Sequence, residues 1–228
     1  MTSVVAQPGG AALSLPAVLF DLDGTLTDSA PAIGGVLNSM RHERGLAPLP
    51  ADRYRAWISL GAAELVGSAL DRPGPAPADE VAAFRFRYAD TRATAADLYP
   101  GVEDMLKQLH TAGHAMAVCS NKPQFLCEKV LLETGIISYF GAVVGGDAVR
   151  RSKPDPMHLL HALASICRDG QPFFFVGDSR IDADAATAAG AMFVWASYGY
   201  GESAELAQRG VGVRNAAEIV PAVQLHRA

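Results

Sequence analysis

The segment FDLDGTLTDS, residues 20–29, places two carboxylates two positions apart, directly after an apolar run. That run, Ala17–Phe20, is short and follows a proline, which predicts a buried strand. Residues two apart in an extended segment point to the same side, so Asp21 and Asp23 are expected to face one site. Two neighbouring carboxylates repel each other unless a cation lies between them or one holds a proton. The spacing therefore indicates metal or acid–base chemistry.

The next two residues extend this site. Gly24 lets the backbone turn and brings an N–H group close to a ligand, and Thr25 adds a hydroxyl. An EF-hand loop has its glycine at the sixth position rather than the fourth, and an aspartic-protease motif reads D-T-G rather than D-G-T. Both are disfavoured, while a surface turn with incidental acids stays open at this point.

Two later apolar runs end in groups that suit a phosphate. Ser120 and Asn121 follow the run at 115–119 and precede a helical pattern, where free backbone N–H groups bind anions. Lys153 lies in SKPDP, and a lysine held among prolines has little freedom and suits a phosphate. The ordinary alternatives are a helix cap and a surface lysine.

A further acid pair, Asp178 and Asp182, follows the run at 173–176. Two acids four apart at a turn into a helix suit a hard cation such as Mg²⁺, although acids are also common at helix starts. Open α/β sheets bind ligands at the carboxyl ends of their strands. The four clusters together therefore predict one site with a metal, a nucleophilic carboxylate and a cation for a phosphate.

These clusters need a sheet that brings strand ends together. Strand-like runs recur at 17–20, 115–119, 142–144, 173–176 and 192–196, and helical patterns occupy 102–111, 124–133, 157–166 and 181–189. This alternation predicts an α/β fold, a doubly wound, Rossmann-like parallel sheet covered on both faces.

Residues 29–97 break the alternation, because they contain helical patterns without a clear strand. The helices are expected at 32–44, 52–60, 62–70 and 78–96, with a Pro-Ala linker at 72–79. We expect a helical cap at 29–97 inserted into a core domain of 1–28 and 98–228. Residues 1–15 are expected to form a loose arm.

Composition narrows the functional class. The chain has 228 residues, of which 50% are hydrophobic, and a net charge of -5 without a basic block, so nucleic acid is disfavoured as a partner. Three cysteines without C-x-x-C spacing favour a reducing cytoplasm. No stretch resembles a secretory signal or approaches the ~20 apolar residues of a membrane span. A monomer and a homodimer both stay open.

The order of these motifs resembles the haloacid dehalogenase (HAD) superfamily of phosphohydrolases, whose pattern is D-x-D-G-T, then Ser or Thr, then Lys, then G-D-x-x-x-D. Within it the chain resembles the phosphoglycolate phosphatases, through FDLDGTLTDSAP, WISLGAAELVGSAL, YPGVEDML, SNKP, SKPDP and GDSRIDADAATAAG. The subgroup usually reads W-I-G-x-G where this chain has Ser59. The resemblance spans nearly the whole chain and implies a Mg²⁺-dependent enzyme acting on 2-phosphoglycolate, a small phosphorylated metabolite.

The resemblance also implies roles for the motif residues. Asp21 would attack phosphorus and form an aspartyl-phosphate, and Asp23 would protonate the leaving oxygen and then activate water. Mg²⁺ would be held by Asp21, by the backbone carbonyl of Asp23 and by Asp178, with Asp182 supporting the site. The phosphoryl oxygens would contact a further set: Thr25, Ser120, Asn121 and Lys153.

Several alternatives stay open. Asp23 argues against a true dehalogenase, and Glu64 stands where a sugar-phosphate mutase of the family usually has an arginine. Another phosphate ester, a nucleotide or pyrophosphate are possible substrates, and a non-catalytic phospho-aspartate switch or binding module represents a different class. Five histidines are interpreted as incidental: His42, His110, His114, His158 and His161. Six cap arginines are candidates for a substrate carboxylate, most of them expected on a solvated face: Arg53, Arg55, Arg72, Arg85, Arg87 and Arg92.

Overall fold

A computed structural model describes residues 15–201 and 204–224 of the chain. Nearly all of the expected N-terminal arm, residues 1–14, lies outside the described residues. Within the described part, no helix has the length and apolar character that crossing a membrane requires.

The described residues form a six-stranded parallel sheet. Its strands in chain order are β1 (Ala17–Phe20), β2 (Met116–Ser120), β3 (Ala142–Gly145), β4 (Phe173–Gly177), β5 (Met192–Ala196) and β6 (Val211–Val213). The spatial order is β3-β2-β1-β4-β5-β6, so β1 lies in the interior of the sheet, between β2 and β4. Every residue of β1, β2 and β4 is buried, as a parallel sheet covered on both faces requires.

Helices cover both faces of this sheet. They are α5 (Val102–Ala112), α6 (Gln124–Glu133), α7 (Met157–Ser165), α8 (Arg180–Ala189) and α9 (Ile219–Gln224). Helices α5, α6 and α9 share one apolar cluster with alternate residues of the strands, and α7 and α8 share a second cluster on the opposite face. The predicted doubly wound α/β fold is confirmed.

Two elements near the C-terminus were not expected. Strand β6 is only three residues long and contains a glycine, so it lacks the apolar run that indicates a strand. Helix α9 contains Pro221, which a helix accepts in its first turn. Both are too short for a sequence pattern to stand out.

Four helices lie between β1 and the rest of the core: α1 (Ala30–His42), α2 (Ala51–Ile58), α3 (Ala62–Ala69) and α4 (Ala78–Ala89). Their apolar faces pack into one cluster, which includes Tyr54, Phe84 and Tyr88 and also Leu126 of α6. We call these four helices and the turns that join them the cap, and its division from the core at 29–97 stays a proposal.

Helix α4 ends seven positions earlier than the expected helix at 78–96. The hydroxyl of Thr91 donates to the carbonyl of Tyr88 at 2.7 Å and so closes the last turn. Thr94 and Asp97 then form a capping box that opens a short 3-10 turn, Ala95–Asp97. These side chains offer the backbone an alternative to continued helix.

Candidate active site

The three central strands bring the predicted residues to one edge of the sheet. Asp21 follows β1, Ser120 ends β2 and Asp178 follows β4, and these strands are neighbours in the order β2-β1-β4. Lys153 reaches the same edge from the segment before α7, and Asp182 from the first turn of α8. The topology therefore assembles residues that are far apart in the chain.

Lys153 links two of the predicted acids. Its Nζ lies 2.9 Å from Oδ1 of Asp21 and 2.7 Å from Oδ1 of Asp182. The first contact is an ion pair without a well-aligned hydrogen bond, and the second is also a hydrogen bond. Burial opposes the charge of Lys153, but Asp182 and Asp21 outweigh it and raise the pKa of the lysine. Burial also raises the pKa of Asp21 to about 6, against the opposing effect of Lys153.

Asp21, Asp178 and Asp182 form a buried acidic cluster, with one carboxylate oxygen of each within 4.8 Å of the others. Oδ2 of Asp178 accepts a hydrogen bond from the backbone N–H of Tyr200 at 2.6 Å. Its Oδ1 is buried and has no hydrogen-bond partner among the described residues. Burial, helped by the two neighbouring acids, raises the pKa of Asp178 well above its usual value. A hard divalent cation with oxygen ligands fits this donor set.

Two glycines let the backbone close over Asp178. A Cβ on Gly24 would lie 2.3 Å from Oδ2 of Asp178, and one on Gly199 would lie 2.4 Å from the Cβ of Asp178. Gly24 also has a φ of +84°, which disfavours other residues. The glycine of the D-x-D-G-T motif therefore makes room for the acidic cluster.

The carboxylate of Asp23 lies outside that cluster and has its own cation. Lys122 Nζ lies 2.8 Å and 3.0 Å from the two oxygens of Asp23, and the hydroxyl of Ser29 donates to Oδ1 as well. Lys122 also donates to the hydroxyl of Tyr88 at 3.2 Å and lies 4.6 Å from the centre of that ring. Lys122 thus connects the core to the cap through Asp23 and Tyr88.

Sequence reasoning assigned no role to Lys122 or Tyr88. Lys122 was visible in the SNKP motif, but only its neighbours were interpreted. The contact with Tyr88 depends on how the cap lies on the core, which no local pattern indicates. Burial opposes the charge of Lys122, but Asp23 outweighs it and raises the pKa of the lysine.

The remaining predicted residues lie at different depths. Ser120 and Asn121 line the cavity beside Asp21, and Oδ1 of Asn121 is buried without a hydrogen-bond partner in the described part of the chain. The Asn121 amide group donates to the carbonyl of Lys153 at 2.9 Å. Thr25 is fully buried and is not part of the cavity lining.

His158, which was interpreted as incidental, lies against the segment that carries Lys153. Its imidazole is fully buried, and Nδ1 accepts the backbone N–H of Lys153 at 3.2 Å. Nε2 lies 3.1 Å from the carbonyl of Val144, so the ring donates there. His158 therefore fixes the backbone that carries Lys153 against strand β3.

Between the sheet edge and the cap lies a cavity of about 670 Å³, a volume that includes its open mouth. Its floor carries Asp21, Asp23, Lys122 and Lys153. Its cap wall is mostly apolar and is formed by Ile33, Ile58, Gly61, Ala62, Leu65 and Phe84. The polar side chains that the cap contributes to the described lining are Ser59, Arg85 and Tyr88.

Known proteins are similar to this chain in sequence and in fold. The family model described as haloacid dehalogenase-like hydrolase matches residues 18–196. A crystal structure of a predicted phosphoglycolate phosphatase from Haemophilus somnus superposes with a TM-score of 0.74 at 27% identity, and the match covers 91% of this chain and 97% of that one.

Two curated relatives are similar over most of their length. The plasmid phosphoglycolate phosphatase of Cupriavidus necator is 39% identical over 196 residues, which are 83% of this chain and 85% of that protein. Phosphoglycolate phosphatase 1 of Pseudomonas aeruginosa is 38% identical over 198 residues, which are 84% of this chain and 72% of that protein. The expected resemblance is confirmed, and the chain belongs to the haloacid dehalogenase-like hydrolase family.

Proposed function

We propose that this protein hydrolyses 2-phosphoglycolate to glycolate and phosphate, with Mg²⁺ as cofactor and an aspartyl-phosphate on Asp21 as intermediate. The main support is the position of Asp21 on the cavity floor. Its buried carboxylate lies beside Lys153 and beside the acids Asp178 and Asp182. That the chain is a phosphatase follows from its family and from its curated relatives. The substrate is proposed from the names of those relatives.

Asp21 is the proposed nucleophile. A carboxylate that approaches a phosphate dianion meets like-charge repulsion, and the ammonium of Lys153 at 2.9 Å offsets part of it. Asp182 holds that ammonium from the other side, so Lys153 is positioned before substrate arrives. The reaction proceeds in two steps, in which the P–O bond to the glycolate oxygen breaks as the bond to Asp21 forms, and water then releases phosphate.

Asp23 is the proposed acid and base. It would give a proton to the glycolate oxygen as that oxygen leaves and then take one from the attacking water. Lys122 and Ser29 hold its carboxylate in place, and Asp23 lines the same cavity as Asp21. The two aspartates are thus positioned for different tasks by different partners.

The acidic cluster would hold the metal. We assign Asp21, Asp178 and the backbone carbonyl of Asp23 as ligands, supported by the unpartnered oxygen of Asp178. Asp182 would support these ligands without binding the metal itself, because its two oxygens already accept hydrogen bonds from Lys153 and from Ser179. When bound, Mg²⁺ would neutralise charge on the phosphoryl group.

The phosphoryl oxygens would be contacted by Ser120, Asn121 and Lys153, which line the cavity beside Asp21. We further propose a cytoplasmic location for this enzyme, because Cys119, Cys127 and Cys167 are all unpaired. Whether the chain acts as a monomer or a homodimer does not enter the mechanism.

The test is phosphate release with Mg²⁺ from a panel of 2-phosphoglycolate, sugar phosphates, nucleotides and pyrophosphate. The blank is Asp21→Asn, which keeps the shape of the side chain but removes its charge. We expect a clear preference for 2-phosphoglycolate and at least about a thousandfold loss in the variant. Asp79→Asn, on the exposed start of α4, is the matched control.

Three results would contradict this proposal. Preference for another ester would retain the mechanism and reject the substrate. Activity of Asp21→Asn within tenfold of the wild type would reject the nucleophile. Isomerised product without phosphate release would indicate a mutase.

A further inference from the structure

We propose that Arg85, on the cap wall, binds the carboxylate of the substrate and makes this cavity selective for small phosphate esters that carry a second anionic group. The inference rests on the proposed function and adds the residue that recognises the leaving group. Three observations carry it: the pairing of the cap arginines, the charges of the cavity, and the apolar character of its cap wall.

The other five candidate arginines are engaged or lie elsewhere. Four have side-chain partners outside the cavity: Arg53 with Trp57, Arg55 with Asp28 and Asp52, Arg72 with Glu80, and Arg87 with Glu43. The fifth, Arg92, lines a separate, smaller cavity beside Lys129. Of the six, Arg85 alone lines the cavity that contains Asp21.

No described residue forms a hydrogen bond or an ion pair with the guanidinium of Arg85. Its Nε is buried and has no hydrogen-bond acceptor among residues 15–201 and 204–224, and no carboxylate in those ranges forms an ion pair with it. A buried polar group without a partner costs free energy, and a guanidinium matches the two oxygens of a carboxylate. An anion from the substrate would supply the missing partner.

The charges of the cavity also favour a substrate with a second anionic group. Lys153 is paired with Asp21 and Asp182, and Lys122 is paired with Asp23. Within the described lining, Arg85 is therefore the cation that no protein carboxylate neutralises. It lies on the cap wall, whereas the phosphoryl-binding groups lie on the floor, so a substrate with an anion at each end matches both.

The rest of the cap wall disfavours a sugar. Its lining residues between α1 and α4 are mainly aliphatic or aromatic, and Ser59 and Tyr88 are the other polar side chains described there. The Tyr88 hydroxyl already accepts a hydrogen bond from Lys122. The several hydroxyls of a sugar ring would lose hydrogen bonds to water without replacement, which costs free energy.

The experiment compares two substrates that differ only in the second anion. 2-Phosphoglycolate carries a carboxylate where 2-hydroxyethyl phosphate carries a neutral CH2OH group. For Arg85→Gln we expect kcat/KM for 2-phosphoglycolate to fall about 100-fold, mostly through KM, because the lost contact is made in both ground and transition states. The loss for 2-hydroxyethyl phosphate is expected to be much smaller.

Two further variants separate recognition from folding. Arg85→Lys keeps the positive charge and should recover part of the preference for 2-phosphoglycolate. Arg87→Gln removes an arginine from the same helix, but one that pairs with Glu43 outside the cavity, and should leave both substrates unaffected. Thermal melting of each variant shows that the fold is retained.

The outcomes distinguish the inference from the proposed function. If the wild type does not prefer 2-phosphoglycolate over the neutral ester, the proposed function fails whatever Arg85 does. If the wild type has that preference and Arg85→Gln keeps it, the role of Arg85 is overturned while the function stands. An equal loss on both substrates would also overturn it, because a structural role predicts that result.

Discussion

Asp21 and Asp23 leave the same strand end but meet different cations. Lys153 pairs with the first and Lys122 with the second, so the repulsion expected between neighbouring carboxylates is offset twice. The motif at 20–29 indicated that a cation was needed, but it did not show that two lysines from distant segments would supply part of the charge. Among the described residues, no lysine or arginine forms an ion pair with Asp178, and we place the metal there.

At the residue scale, Lys122→Met should destabilise the protein. The variant leaves the carboxylate of Asp23 without its cation and leaves Tyr88 without its donor. Removing one partner of a buried ion pair typically costs about 3–5 kcal/mol. Urea unfolding would measure this loss, and Lys107→Met, an exposed lysine on α5, provides the control.

A second substitution tests the cause of that loss. In the double variant Lys122→Met with Asp23→Asn, the unpaired charge is removed, so part of the lost stability should return. A loss below about 1 kcal/mol in the single variant would contradict the buried-pair argument. No recovery in the double variant would do so as well.

At the scale of elements, His158 joins helix α7 to strand β3 and to the segment of Lys153. Burial, together with the nearby charge of Lys153, lowers the pKa of His158 from 6.5 to about 4. Between these two values the unfolded chain binds a proton that the folded protein excludes. The contribution of the neutral ring is therefore fully present above pH 6.5 and is lost as the pH falls toward 4.

The predicted magnitude of this loss is on the order of 3 kcal/mol across that pH window. Urea unfolding at several pH values would measure it as the difference between the wild type and His158→Asn. His42→Asn, at the exposed end of α1, is the control. If the wild type and His158→Asn lose stability in parallel on acidification, another group must be responsible.

The sheet and most of its helices were predictable because their signals are local. Apolar runs mark β1 and β4, and α8 is marked by its capping box of Ser179 and Asp182 and by Gly190 at its end. Strand β6 was not predicted because it has only three residues. The early end of α4 was not predicted because it depends on the hydrogen bond of one threonine hydroxyl, that of Thr91. Both signals are weaker than the apolar periodicity from which helices and strands are predicted.

The candidate site was predictable on its floor and not on its cap wall. Asp21, Lys153 and Asp178 each follow a strand or precede a helix, so the parallel sheet determines where they meet. The role of Lys122 depends on the packing of α4 against the core. The role proposed for Arg85 depends on which other arginines are already paired. Those contacts depend on tertiary structure, which a single sequence does not display.

At the scale of the whole molecule, the acidic cluster should make stability depend on Mg²⁺. Three buried carboxylates repel one another in the folded state, and the unfolded chain separates them. A cation that binds only the folded protein raises the melting temperature in proportion to the logarithm of its concentration. We expect a rise in Tm with Mg²⁺ in the wild type.

Asp178→Asn should abolish most of this rise, because it removes a proposed ligand charge. The same melts with Asp79→Asn, an exposed acid on the cap, show whether added salt alone stabilises the chain. A Tm that does not respond to Mg²⁺, or an equal response in Asp178→Asn, would reject the metal site independently of any activity measurement.

The central position of β1 has a consequence for synthesis on the ribosome. Phe20 pairs with Val118 on one side and with Val176 on the other. Strand β1 can therefore pair only after residues much later in the chain have been synthesised. The cap helices, which pack mainly on one another, are complete before either partner strand. Non-local strand pairing closes large loops and is slow. The nascent chain therefore carries the apolar strand β1 unpaired while the cap is already able to fold.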